Sequence, residues 1–308
     1  MNHTTKRLKG IIMIIIGSML WGATGPMMEW VLSSSHMSVS FMLTIRLLLA
    51  GFLILCFLVV TKRDIYAIWK QPYWWIKLVI FSVFGMLGVQ YTFVAAIHAS
   101  NAVLATLLQF LAPIFVVLYV SFSQKMFPPR YQIFGILGTL IGLFLLLTNG
   151  SISNLLVSPV ALLWGLGVGL TFAFYTLYPT SVMNEWGVLV VIGWSMLIGG
   201  LLLGFSKGFW EFKQYALLTE SDTNLMLLAI IFFGTIAFIL FLSSMKYISP
   251  VETSILSSFE PLTAMFISVI WLGSVLAGVQ IIGIILMILC VVWLSIEGNR
   301  QSVKMKEE

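Results

Sequence analysis

Glu260 is the residue whose type and position point most directly to chemistry. It lies about ten residues into a predicted membrane helix over 250–271 and is followed by Pro261. At a rise of ~1.5 Å per residue, this depth is near the middle of a bilayer. A carboxylate there costs several kcal/mol unless it is protonated, paired or in contact with water. We therefore expect either a proton or cation site, or a structural partner for Lys246 or for backbone groups that Pro261 leaves free.

Small and polar side chains share a face with Glu260. Five residues recur at helical spacing on this face: Thr253, Ser257, Glu260, Ala264 and Ser268. Such a stripe belongs against a cavity or a close helix neighbour and not against lipid. Gln109, in a predicted helix over 101–122, corresponds to Ser257 at an internal offset of 148 residues, whereas Ala112 corresponds to Glu260. The sequence thus predicts a cavity with a single acidic wall, where Gln109 binds a ligand or a neighbouring helix.

Arg46 is a second charged residue inside an apolar run, in a predicted helix over 38–60. Its guanidinium keeps its charge, so it needs a partner or a route to water. Glu29, near the end of a predicted helix over 10–32, lies at a similar depth and is the candidate for a structural ion pair. The alternatives are that Arg46 snorkels outward, or that its planar fork captures a substrate carboxylate.

Aromatic residues within the predicted helices could form the walls of a site for a flat or cationic ligand. The candidates are Trp21, Tyr91, Tyr175, Tyr178 and Trp194. Core packing is the competing explanation for each of them. Gln90, beside Tyr91, also needs a polar partner in the membrane. The sequence shows no metal-ligand cluster, phosphate loop or nucleophile–His–acid set, so we expect no metal, no cofactor and no enzymatic activity.

These residues require a membrane framework, since 60% of the chain is hydrophobic and only 9% is charged. That composition is typical of a polytopic membrane protein. We predict an all-α protein with ten transmembrane helices, each near the length that crosses a bilayer. Their predicted ranges are 10–32, 38–60, 77–97, 101–122, 132–148, 159–180, 187–205, 224–246, 250–271 and 278–296.

The positive charges predict the orientation of these helices. Of the sixteen Lys and Arg residues, Lys207 and Lys213 fall outside and Arg46 lies within a helix, which leaves thirteen on the side of the N-terminus. Positive charge accumulates on the cytoplasmic side, so both termini should be cytoplasmic. The basic character reports this orientation and does not predict a nucleic-acid partner.

A duplicated motif predicts two halves. Pro113 precedes Gln132-Ile133-Phe134-Gly135-Ile136 by nineteen residues, and Pro261 precedes Gln280-Ile281-Ile282-Gly283-Ile284 by the same number. Five helices per half would make the halves inverted relative to each other, which is a common plan of secondary transporters. The predicted repeats are 10–148 and 159–296, between cytoplasmic tails 1–9 and 297–308.

Several motifs in this order resemble the EamA-type transporters of the drug/metabolite transporter superfamily. They are Leu20-Trp21-Gly22, Arg46, the two Pro-to-Gln-x-x-Gly spacings, Lys246 and Phe259-Glu260-Pro261. The resemblance implies ten helices in two inverted five-helix repeats, and outward movement of small metabolites, often amino acids, across the bacterial cytoplasmic (inner) membrane. Members commonly carry a glutamate at the positions of Met126 and Ser274, so any role of that acid does not transfer to this chain.

The sequence is thus interpreted as a secondary transporter that exports a small metabolite, such as an amino acid, by alternating access. Glu260 would be the proton or cation site, Arg46 an anion clamp, and the aromatic residues the walls. Export of lipophilic cations is the main alternative. A passive uniporter and a non-transporting membrane partner are the others. The expected partners are a small-molecule substrate, the lipid bilayer and protons, and both a monomer and a homodimer are compatible with the sequence.

Overall fold

The computed structural model describes residues 3–125, 127–151, 157–248, 253, 256, 257 and 259–307, with side chains except at 3–5, 113, 120, 124, 291 and 294–307. Within these residues the secondary structure is helical and no strand occurs. Met126 and the start of the predicted helix 250–271 lie outside the described residues.

The helices of the first part of the chain follow the apolar segments. They are α1 (His3–Ser34), α2 (Val39–Val60), α3 (Pro72–Ile80), α4 (Gly88–Ala99), α5 (Ala102–Gln109), α6 (Ala112–Gln124) and α7 (Arg130–Thr148). A π-helical segment, Phe81–Leu87, joins α3 to α4. The second part contains α8 (Pro159–Leu177), α9 (Thr180–Trp186), α10 (Val188–Ser206), α11 (Ser221–Ser244), α12 (Phe259–Trp271) and α13 (Gly278–Glu307).

Eight segments of the described chain are long and apolar enough to cross a membrane. Two further apolar helices, Phe259–Trp271 and Gly278–Cys290, are shorter within the described residues. The prediction of an all-helical membrane protein is therefore confirmed, and the count of ten transmembrane helices stays a prediction.

One predicted helix, over 101–122, is divided into α5 and α6. Phe110 and Leu111 bond to carbonyls three residues earlier, which is a 3₁₀-type turn. Pro113 cannot donate a hydrogen bond to the carbonyl of Gln109, so the α-helical ladder is broken at this point. As a result Gln109 is the last residue of α5, in the middle of the membrane segment.

Four sets of helix contacts organise the bundle. Helix α1 packs against α11 and α12, and α8 packs against α4, α5 and α6. Helix α2 packs against α10, and α7 packs against α13. Glycines allow the closest approaches: a Cβ placed on Gly142 of α7 would lie 2.6 Å from the carbonyl oxygen of Gly283 in α13. Small residues at such contacts are typical of helix packing in membranes, where backbones approach closely.

Candidate functional site

A hydrogen bond joins two polar residues that the sequence analysis singled out on different predicted helices. Gln109 Nε2, at the end of α5, donates to Glu260 Oε2, in the first turn of α12, at 2.9 Å. Both side chains are buried, with exposed fractions of 3% and 0%. The structure thus brings together a carboxyl group and an amide that are 151 residues apart in the chain.

Two oxygens of this pair have no hydrogen-bond partner. Glu260 Oε1 and Gln109 Oε1 are both buried and unpaired in the part of the chain that the structure describes. An unsatisfied buried acceptor costs about 1–3 kcal/mol, so each oxygen favours the arrival of a donor. A proton on the carboxyl group, or an N–H or O–H group of a ligand, would supply that donor.

The predicted stripe, whose described residues lie in α12 and just before it, faces inward. Thr253, Ser257, Ala264 and Ser268 are all buried, and the Oγ1 of Thr253 lies 3.2 Å from Ser244 Oγ of α11. Lys246, the predicted structural partner of Glu260, is exposed, and no ion pair joins these two residues. That alternative is therefore corrected: Glu260 is bonded to an amide on another helix and not to a lysine.

Helix α1 lies directly against the backbone that carries Glu260. A Cβ on Gly22 would collide with the carbonyl oxygen of Glu260, so only glycine permits this approach. The neighbouring Trp21 is buried in an aromatic cluster, with ring centres 4.4 Å from Phe238 and 6.3 Å from Tyr175. The other rings of this cluster are Phe172 and Phe241. Two predicted candidates, Trp21 and Tyr175, thus contact each other beside α12.

The predicted ion pair between Arg46 and Glu29 does not form. Glu29 Oε2 accepts a hydrogen bond from the backbone N–H of Ala102 at 2.7 Å, at the first residue of α5. A helix N-terminus offers unpaired N–H groups and a positive dipole end, which together bind a carboxylate. Arg46 instead donates from Nη1 to the sulfur of Met28 at 3.5 Å and lies over the ring of Phe238.

The remaining candidates have other surroundings. Gln90 Nε2 reaches only Met86 Sδ, at 3.7 Å, and Tyr178 stacks on Phe174 with ring centres 4.6 Å apart. Trp194 donates from Nε1 to the carbonyl of Ile65 at 2.8 Å, so it anchors the segment between α2 and α3.

Tyr91 contacts Trp164 at 5.7 Å between ring centres. It also lines a cavity of about 380 Å³. Ser40, Thr92, Leu203 and Lys207 are also part of that cavity. None of these contacts joins Tyr91 to the Glu260–Gln109 pair.

Phenylalanines of the aromatic cluster were not predicted from the sequence. Phe238 contacts both Trp21 and Arg46, and Phe172 and Phe241 complete the packing around Trp21. The chain contains 23 phenylalanines. Because phenylalanine is equally common on lipid-facing surfaces of membrane helices, no sequence signal distinguishes these three from the others.

Comparison with known proteins identifies the family. Residues 8–148 and 159–296 match the EamA-like transporter family. The uncharacterized inner membrane transporter YicL of Salmonella typhimurium is 34% identical to this chain over 295 residues, which cover 96% of this chain and 97% of YicL. A solved crystal structure shares the fold, with a TM-score of 0.59 at 15% identity over 97% of this chain and 99% of that one. The chain therefore belongs to the EamA-like transporter family, within the drug/metabolite transporter superfamily, and is a multi-pass membrane transporter.

Proposed function

We propose that this protein is a secondary transporter of the inner membrane that exports a small metabolite, such as an amino acid, in exchange for protons. The observation that carries this proposal is the buried pair of Glu260 and Gln109, in which one oxygen of each side chain is unpaired. Ionisable residues inside membrane proteins commonly mark ion or proton pathways.

The pattern of helix contacts supports two inverted repeats around this pair. Helix α1, the first long helix of the first half, packs against α11 and α12 of the second half. Helix α8, the first long helix of the second half, packs against α4, α5 and α6 of the first half. In the predicted repeat, these three helices correspond to α11 and α12. Helices α2 and α10 correspond and pack together, and so do α7 and α13. Such reciprocal contacts between the halves are expected for two repeats related by a two-fold axis in the membrane plane. Helices α6 and α12 also begin at nearly equivalent positions, Ala112 and Phe259.

The protonation state of Glu260 determines how well α5 and α12 are joined. When the carboxyl group is charged, one bond from Gln109 Nε2 connects the helices, and the second oxygen of each side chain is an acceptor without a donor among the described residues. When it is protonated, its O–H can donate to the amide oxygen, so that two bonds connect the same helices. Protonation therefore favours contact between the two halves, and loss of the proton favours their separation.

Cargo and proton compete in this arrangement. A ligand with an ammonium or other N–H group would donate to the oxygens that are unpaired when Glu260 is charged. Binding of that ligand and protonation of Glu260 therefore exclude each other. Such mutual exclusion, combined with alternating access, produces exchange of cargo for protons.

The direct test is transport by the full-length protein in liposomes with an imposed pH gradient, using radiolabelled amino acids as cargo. The wild type should accumulate cargo faster when the lumen is more acidic than the medium, because protons leave as cargo enters. Glu260→Gln should lose this acceleration while its thermal stability is unchanged, because a second amide can still bond to Gln109. Ser268→Ala, on the same face of α12, is the matched control and should keep the acceleration. Equal pH dependence in wild type and Glu260→Gln would refute the proton site.

Export of lipophilic cations is the second candidate, and the aromatic cluster around Trp21 favours it. Aromatic rings suit a flat cation, and the carboxyl group of Glu260, on the helix packed against α1, would balance its charge. A cationic dye that competes with protons for wild-type protein, but not for Glu260→Gln, would support this cargo. Transport without any dependence on the pH gradient would indicate a uniporter, and absence of transport for every cargo would indicate a non-transporting partner.

A further inference from the structure

We infer that Arg46 is the cationic centre of an anion-binding site that is separate from the Glu260–Gln109 pair and takes a carboxylate on an apolar body. The inference deepens the proposed transport function, but its test measures binding and does not depend on transport. Arg46 is 3% exposed, and it is a permanent cation inside a helix that is long and apolar enough to cross a membrane.

The guanidinium group lacks an anionic partner in the structure. Its five N–H donors have the thioether of Met28 as their hydrogen-bond acceptor, at 3.5 Å from Nη1. Nη2 is buried and has no partner among the described residues. No carboxylate of the described residues forms an ion pair with Arg46. A thioether is a weak acceptor, so Met28 occupies a position where a charged oxygen would bind much more strongly.

The counter-ion predicted from the sequence is already engaged. Glu29 follows Met28 in α1, but its carboxylate accepts from the N–H of Ala102 at 2.7 Å. A buried charge without compensation is strongly unfavourable. The described part of the chain thus offers no compensating charge for Arg46, and we infer that a ligand supplies it.

The surroundings of Arg46 indicate the class of that ligand. The guanidinium carbon lies 5.9 Å from the centre of the Phe238 ring, and that ring is 4.4 Å from Trp21. Gly234 makes room for the group, because a Cβ at that position would collide with Nη2. One guanidinium fork balances a single negative charge and matches a carboxylate in shape. The adjacent rings favour an apolar or aromatic body on the same molecule.

The anion site is separated from Glu260 along α1. Gly22 contacts the backbone of Glu260, and Met28 contacts Arg46. Six residues of helix correspond to about 9 Å along its axis. Arg46 and Glu260 therefore contact α1 at different levels, and each can hold an ion of its own.

Thermal unfolding of the purified full-length protein tests this inference, with sodium benzoate as the probe and sodium chloride and sodium methanesulfonate at equal ionic strength as references. Benzoate should raise the unfolding temperature of the wild type more than either reference salt does. Arg46→Met should abolish that difference. Without benzoate this variant should be at least as stable as the wild type, because it removes an uncompensated buried charge.

A glycine substitution tests the same site without removing the charge. Gly234→Ala should weaken benzoate binding about tenfold or more, because the added methyl group displaces Nη2. Gly25→Ala is the matched control: its Cβ would lie 3.4 Å from that of Ala102, an ordinary contact, so benzoate binding should be unchanged.

Glu260→Gln should also keep the benzoate response, since the sites are separate. Loss of the response in that variant would overturn the separation of the two sites. A wild type that does not distinguish benzoate from chloride, or an Arg46→Met protein with the wild-type response, would overturn the anion site itself. Failure of proton-driven transport would leave these binding results unaffected, so the two proposals fail independently.

Discussion

Gly22 of α1 lies so close to the carbonyl oxygen of Glu260 that no side chain fits between them. The contact connects the helix that carries Trp21 to the helix that carries the buried carboxyl group. Any change in the position of α12 relative to α1 must therefore alter the contact at this glycine. This makes the pair a sensitive point for both stability and transport.

Gly22→Ala should accordingly destabilise the protein by about 1–3 kcal/mol, which is the usual cost of overpacking a tight core contact. The methyl group meets backbone, which cannot rotate away as a flexible side chain can. Thermal unfolding in detergent measures the effect, and Gly25→Ala, which has ordinary contact distances, is the control. An unfolding temperature equal to that of the control would show that α1 and α12 are not held together here.

Gln109→Leu should destabilise the protein by about 1–3 kcal/mol, because Glu260 then loses its partner and remains buried. Gln90→Leu is the matched control, since the amide of Gln90 reaches only a methionine sulfur. We expect that control to change stability little, as leucine fills a similar volume. The comparison uses chemical or thermal unfolding of both variants. Equal losses of stability in the two variants would mean that the Gln109–Glu260 hydrogen bond contributes no more than the contact of Gln90 with Met86.

Exchanging the charges of Glu29 and Arg46 should not restore stability. The structure places these side chains on different partners, so the double variant Glu29→Arg, Arg46→Glu should be at least as impaired as either single variant. Glu29→Gln should have a small effect, because the amide oxygen can still accept from Ala102. Glu29→Ala should lose about 1 kcal/mol, as for other helix N-terminal caps. A double variant that is more stable than the single variants would show that Glu29 and Arg46 do form an ion pair.

Trp194→Phe should loosen the segment between α2 and α3, because the bond from Nε1 to the Ile65 carbonyl is removed. The expected cost is about 0.5–1.5 kcal/mol, the usual contribution of one hydrogen bond. Limited digestion with trypsin measures the effect, since Lys62 and Arg63 are exposed in this segment. Trp164→Phe is the control and should leave the cleavage rate unchanged. Benzoate binding at Arg46 should be unaffected in both variants.

Much of the framework could be predicted from the sequence because membrane insertion depends on local hydropathy. Long apolar runs specify helices wherever they occur, since backbone polar groups must be satisfied within each segment. The break after Gln109 also has a local cause, the missing N–H of Pro113. The stripe of Thr253, Ser257 and Glu260 indicated an inward face through helical spacing alone, and the structure buries these residues.

The pairing of the charged residues was decided only by the tertiary structure. Glu29 and Arg46 are predicted to lie at similar depths, but depth does not determine the direction in which a side chain points around its helix. The start of α5 supplies the backbone donor for Glu29. No sequence pattern indicates that this helix end lies beside Glu29. Likewise Gln109 and Glu260 meet because α5 and α12 pack together, and Phe238 lies over Arg46 because α11 packs against α2. By itself the sequence determined which segments are long and apolar enough to cross a membrane, because insertion energy is local. Packing decided which of them touch, because contacts between distant helices depend on the shapes of all their faces together.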